Sequence, residues 1–147
     1  MRGISWQKRK RCRGQSLLES VLVTLVFLTL LIGILDVGQV LFVHQTLVER
    51  TRAALRWGAV RPFDADAIRN MVLYSQPTVP GNEDPPPAGL FGLTADNVTV
   101  ERRDAGTNAD RIVITLTRYP FRFFTPFIAG RYEGKPIIGS IPYEVEN

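Results

Sequence analysis

At 147 residues, 45% hydrophobic and 22% charged, the chain has room for one domain and a membrane segment. Its net charge of +4 would suit a nucleic-acid partner, but six of the 18 Lys/Arg lie in residues 2–13 with no acid among them; after Gly14, twelve bases meet all 14 acids, for −2. That distribution excludes a basic nucleic-acid surface, and the lone cysteine, Cys12, excludes an intramolecular disulfide.

The basic head (Arg2, Lys8, Arg9, Lys10, Arg11, Arg13) runs into an apolar stretch at Arg13-Gly14-Gln15-Ser16-Leu17-Leu18-Glu19. From Leu17 to Leu35 the only charged residue is Glu19. An α-helix over that span reaches ~29 Å, close to the ~30 Å hydrocarbon core of a bilayer. Ser20, Thr24 and Thr29 can bond their hydroxyls back to helix carbonyls, so they do not interrupt it. Asp36 is expected to close the apolar run. The positive-inside rule puts the head in the cytoplasm and everything after Asp36 outside.

Three readings compete for this segment. A cleaved secretory signal would have a shorter core and a small-x-small site at its far end, and neither is present. A plain signal anchor fits the composition. The third reading is a type IV pilin-like precursor, cut on the cytoplasmic side between Gly14 and Gln15. Glu19 helps to separate the last two, because a carboxylate just inside a span costs about 2–3 kcal/mol unless it is paired or near the interface. A cut after Gly14 creates an ammonium at Gln15, one helical turn from Glu19. In a filament, Glu19 can pair with the Gln15 amine of a neighbouring subunit and set the axial register.

The helix is predicted to continue to about Trp57, with Val37, Leu41, Val48, Leu55 and Ala59 lining the face toward a globular part. Gln39, Thr46, Arg50 and Trp57 lie roughly opposite; Glu49 and Arg52, three apart, can pair. Gly58 and Pro62 stop the helix. Asp64 caps a second helix from Ala65 to about Tyr74. Residues 76–89 hold Pro77, Pro80, Pro85, Pro86 and Pro87 with two glycines, a spacer without regular structure.

The last third reads as strands. Asn97 to Arg103 is short and alternating, and Asp104 to Asp110 is a turn. Arg111 to Tyr119 alternates Ile112, Ile114 and Leu116 against Val113, Thr115 and Thr117. Pro120 to Gly130 carries Phe121, Phe123, Phe124 and Phe127, read mainly as core against the helix. Lys135 to Glu144 is a third strand, an edge because of Pro142. The expected fold class is α+β: a long N-terminal helix, part transmembrane and part amphipathic, bearing a small antiparallel three-stranded sheet in a pilin-like layout. The expected segments are a cleaved leader, 1–14; a transmembrane helix, 15–36; an amphipathic extension, 37–60; and an extracytoplasmic head, 61–147.

The basic leader, Gly14, the polar Gln15 and Glu19 at the fifth position after the cut resemble the class III signal of type IV pilins and pseudopilins; Gln15 departs from the usual Phe, Met or Leu there. Leu35-Asp36-Val37-Gly38-Gln39 resembles the Asp/Glu-x-Gly element of TadE-like proteins, and Arg52 to Ala59 their Ala/Arg-rich stretch. Tyr119-Pro120 with Thr125-Pro126, and Ile138-Gly139-Ser140 with Glu144, resemble later elements of the same family, although Tyr143 stands where Met-Arg is usual before the Glu. The resemblance implies a minor pilin or pseudopilin of the tight-adherence (Tad) type IV pilus system. Its partners would be other Tad pilins, the pilus assembly platform, the prepilin peptidase and the cytoplasmic membrane, with no nucleic acid and no small-molecule substrate.

No catalytic constellation is visible. His44 is the only histidine and is read as a polar helix residue; Glu83 with Asp84, and Asp96 with Asn97, lack calcium-loop spacing. The chain is expected to be the substrate of an enzyme rather than an enzyme, with no metal and no cofactor. The rival reading is a single-pass anchored extracytoplasmic binding module that forms no filament.

Overall fold

The computed structural model describes residues 13–82, 85–121 and 132–143. The leader before Arg13, Glu83 with Asp84, the phenylalanines 123, 124 and 127 with Thr125-Pro126, and Glu144 lie outside them.

Helix α1 runs unbroken over Arg13–Ala59, 47 residues. Its polar residues bond where the sequence suggested: Ser20 Oγ donates to the Ser16 carbonyl at 2.9 Å, and Thr24 and Thr29 Oγ1 donate to Ser20 and Leu25 at 2.8 Å. Each hydroxyl is thereby satisfied without a partner from outside the helix. Every residue from Gly14 to Leu35 is exposed in the single chain. The helix is long and apolar enough to cross a membrane.

Beyond Leu35 one face is covered, and it overlaps the expected one only in part: Leu55 is buried and Val48 packs against the core. Val37 and Leu41 stand 60% and 57% exposed. The buried stripe is Asp36, Val43, Leu47, Thr51, Ala54, Leu55 and Gly58. At ~100° per residue its centre lies about a quarter turn from the predicted one. The reason is close approach. A Cβ on Gly58 would fall 2.7 Å from Ile68 Cδ1, and Gly139 of the sheet comes so near that its Cβ would meet Leu55 Cδ1 at 2.8 Å. Thr51 donates to the Leu47 carbonyl at 2.9 Å, so burying it leaves no hydroxyl unpaired. Small and self-satisfied residues mark the contact, and a search for large apolar side chains passes them over. Trp57, placed opposite by the pattern, packs against the core edge with the Arg61 guanidinium 4.4 Å over its ring.

Helix α2, Ala65–Tyr74, starts where Asp64 accepts hydrogen bonds from the amides of Asp66 and Ala67, both at 3.0 Å, and ends at Ser75 in the left-handed region. Ile68, Val72 and Leu73 turn inward. In the Pro-rich stretch, Pro80–Asn82 makes a tight turn with Gly81 at φ 76°, outside helical geometry. Two more short turns, Leu90–Gly92 and Ala95–Asn97, lead into the sheet.

The main sheet is antiparallel in the order β1-β2-β5, with β1 at Val98–Arg103, β2 at Arg111–Leu116 and β5 at Ile137–Pro142. All three strands are shorter than their predicted spans. Asn97 is not in β1; its side chain ties two segments together, accepting from the Thr94 amide at 2.9 Å and donating to the carbonyls of Thr117 and Arg118 at 3.3 and 3.2 Å. β2 stops before Arg118, whose φ of 51° turns the chain. β5 is the edge strand that Pro142 suggested. A second, two-stranded sheet pairs β3, Pro120–Phe121, with β4, Tyr132–Glu133, which the sequence did not reveal.

Ile112, Ile114 and Leu116 are fully buried, as their alternation predicts, and join Leu47, Ile68, Val72 and Leu93 in one core between the sheet and the two helices. The β1–β2 turn is held by Asp110, which accepts from Arg102 and from the Gly106 amide at 3.1 Å. The Arg102 hydrogen bond holds the Asp110 carboxyl below its ordinary range.

Candidate processing and assembly segment

Gly14, Gln15 and Glu19 occupy the first two turns of α1, all exposed. A glycine inside a helix costs roughly 1 kcal/mol relative to alanine. Here packing does not require it, for a Cβ at Gly14 meets nothing within 4 Å. Gly33 and Gly38 are equally unconfined in the single chain.

No described residue pairs with Glu19, so its carboxylate projects from an apolar surface of Leu18, Leu22 and Val23. On the other side of the same helix runs a shallow apolar groove lined by Leu17, Ser20, Val21, Thr24, Leu25, Leu28, Thr29 and Ile32. At ~100° per residue the groove's centre lies about half a turn from Glu19. Two different faces are therefore offered to neighbours. Contacts between unlike faces are heterologous and propagate, whereas a self-complementary face closes into a dimer.

Where the fully exposed part of α1 ends, two side chains, His44 and Phe42, fasten helix to head. Asp36, expected as the terminus of the apolar run, is instead 4% exposed on the buried stripe. His44, read as an isolated polar residue, places Nδ1 2.8 Å from the Tyr119 hydroxyl. Tyr119 is itself 4% exposed, and burial raises its phenolic pKa. Gly134 allows this placement: its amide donates to the Tyr119 carbonyl at 3.2 Å, and any Cβ would overlap the tyrosine ring. Phe42 meets Phe91 edge to face at 6.2 Å. None of these pairings has a local sequence signal, because the partners are about 50 to 75 residues apart.

Among the described residues no group of three or more His, Cys, Asp or Glu side chains is placed to hold a metal ion. The family model of TadE-like proteins matches residues 14–56. The match begins at Gly14 and covers nearly all of α1; the similarities noted after residue 56 lie beyond it. No curated protein and no solved structure matches the chain.

Proposed function

We propose that this chain is a minor pilin or pseudopilin of a Tad-type type IV pilus, a substrate of the prepilin peptidase and not itself an enzyme. The observation that carries this reading is the TadE-like match over residues 14–56, which starts at the glycine of the junction and extends along the helix. In this reading the basic leader stays in the cytoplasm and the helix holds the chain in the cytoplasmic membrane, with the head outside. The peptidase cuts between Gly14 and Gln15. The new Gln15 ammonium of one subunit pairs with Glu19 of another, and the groove of one helix receives a different face of the next. A Gly14 that the fold itself does not need, and a Glu19 with no pair among the described residues, both find a use in this scheme. The head then joins the filament at its initiation or tip, where the pilus serves adhesion or secretion.

Mass spectrometry of the mature N-terminus in cells that carry the peptidase tests the first step. The expected start is Gln15, and an intact Met1 or a cut within residues 33–40 would overturn the reading. Glu19→Ala is expected to leave processing and head folding intact and to reduce incorporation into pili; normal incorporation would remove Glu19 from the assembly contact. An anchored binding module that forms no filament predicts neither the cut nor any sensitivity at Gly14.

A further inference from the structure

The burial of Asp36 removes the boundary that the sequence placed there. With that carboxylate buried, the exposed side of α1 stays apolar past it: Ile34, Leu35, Val37, Leu41 and Phe42 are all exposed. Asp36 is followed by no Asp, Glu, Lys or Arg until Glu49, and the first exposed polar side chain after it is Gln45. Apart from Glu19 near its start, the exposed surface from Leu17 to Phe42 thus carries no charge, over a rise of about 38 Å at ~1.5 Å per residue. That exceeds the ~30 Å hydrocarbon core and fits within the ~40–45 Å that includes the headgroup layers. Phe42, 64% exposed, stands at the level where aromatic side chains favour the membrane–water interface.

The head contributes to the same level by a strained device. Phe91 has φ 57° and is followed by Gly92 at φ 77°. A bulky residue in the left-handed region is strained and persists only where its surroundings enforce it. Here Gly89 donates to the Leu93 carbonyl at 2.8 Å, and Leu93 is fully buried, so the turn is clamped from both ends. The clamp sets Phe91 against Phe42 and leaves both rings partly open.

We propose that Val37, Leu41 and Phe42 of α1 and the turn Leu90–Gly92 form one collar that sits in the outer headgroup layer of the bilayer, so that the head rests on the membrane surface before assembly. The occupant of this exposed face is lipid, because the face continues the membrane half of the same helix without a charged break. The collar rests on the proposed reading of α1 as membrane-spanning.

The test uses the full chain with Cys12→Ser in phosphatidylcholine vesicles, carrying a spin label on one introduced cysteine at a time: Val26→Cys, Leu41→Cys, Gln45→Cys or Leu90→Cys. Accessibility to oxygen, which concentrates in lipid, is compared with accessibility to a water-soluble nickel chelate. The expected oxygen-to-nickel ratio is highest at position 26, intermediate at 41 and 90, and several-fold lower at 45. If position 26 reports water, the membrane reading itself fails. If 26 reports lipid while 41 reports water as 45 does, the collar is overturned and the membrane reading stands. A lipid signal at 41 with water at 90 overturns the seating of the head. Protection of 41 from both reagents that is lost on dilution of protein in lipid assigns the face to a second copy and also overturns the proposal.

Discussion

The two halves of α1 share one unbroken hydrogen-bond ladder but are built on different packing logic. From Gly14 to Leu35 every position is exposed in the single chain, and apolar residues occur all round the helix. From Asp36 to Gly58 a single stripe is buried, and its members include an aspartate, a threonine, an alanine and a glycine. Lipid selects for apolar character and is indifferent to shape. A folded head selects for shape and accepts a polar residue that is already satisfied. The same helix therefore reads as uniform by hydropathy and as two different objects by contact.

The largest expected effect contrasts a core position with a membrane position. Leu47→Ala removes a fully buried side chain and is expected to destabilise the head by about 2–5 kcal/mol. Leu25→Ala, exposed on the membrane half, is expected to leave head unfolding unchanged within about 0.5 kcal/mol. Denaturant titrations of the full chain in detergent, followed by near-ultraviolet circular dichroism, check both. Equal losses would erase the distinction between the halves.

Next is Gly134→Ala, which drives a methyl into the Tyr119 ring and is expected to cost about 1–3 kcal/mol. Gly14→Ala, with open space around its Cβ, should leave head stability unchanged in the same titration while abolishing the proposed cut after residue 14. A loss of stability in the second variant would show that the first turn of α1 takes part in the head's folding after all.

Tyr119→Phe removes the hydroxyl that meets His44 and is expected to cost about 1 kcal/mol, since His44 is half-buried and loses a partner. Double-mutant analysis with His44→Ala should give a coupling term; additivity would remove this link between the halves.

The head offers a pH effect. The Asp110 carboxyl titrates below its unfolded value because Arg102 hydrogen-bonds the charged form. Its contribution is therefore fully present above the ordinary carboxylate pKa of about 4 and is lost as pH falls through the lower folded value. Asp110→Asn should be less stable than the parent at neutral pH, with the gap closing below about pH 4 in a midpoint-against-pH series. The smallest expected effect is Glu49→Ala, which breaks an exposed pair with Arg52 and should cost under about 0.5 kcal/mol.

Much of the secondary structure was legible from local chemistry. The Asp64 cap placed α2 at its observed residues, the alternation around Ile114 placed the central strand and its buried face, and Pro142 marked β5 as an edge. These features depend on neighbours within a few positions, where propensity, capping and period act directly. The junction at Gly14 was equally visible, because charge, glycine and carboxylate stand within six residues of one another, and the TadE-like match begins there.

What the chain order could not show was which side of α1 the head would choose. Val37 and Leu41 were as apolar as any core residue, and the bilayer and the core both accept such side chains. Only the sheet's approach at Gly139, and α2's at Gly58, decided the buried stripe, since backbone proximity rewards the absence of a side chain rather than its hydrophobicity. Likewise Asp36, His44 and Phe42 acquired their settings from residues brought near by the fold. Local sequence determined the elements and the apolar stretch long enough to cross a membrane, because each is set by short-range pattern and composition. Tertiary structure decided the face, the outer boundary of the apolar surface and the fastening of head to helix, because those depend on which distant backbones come close enough to touch.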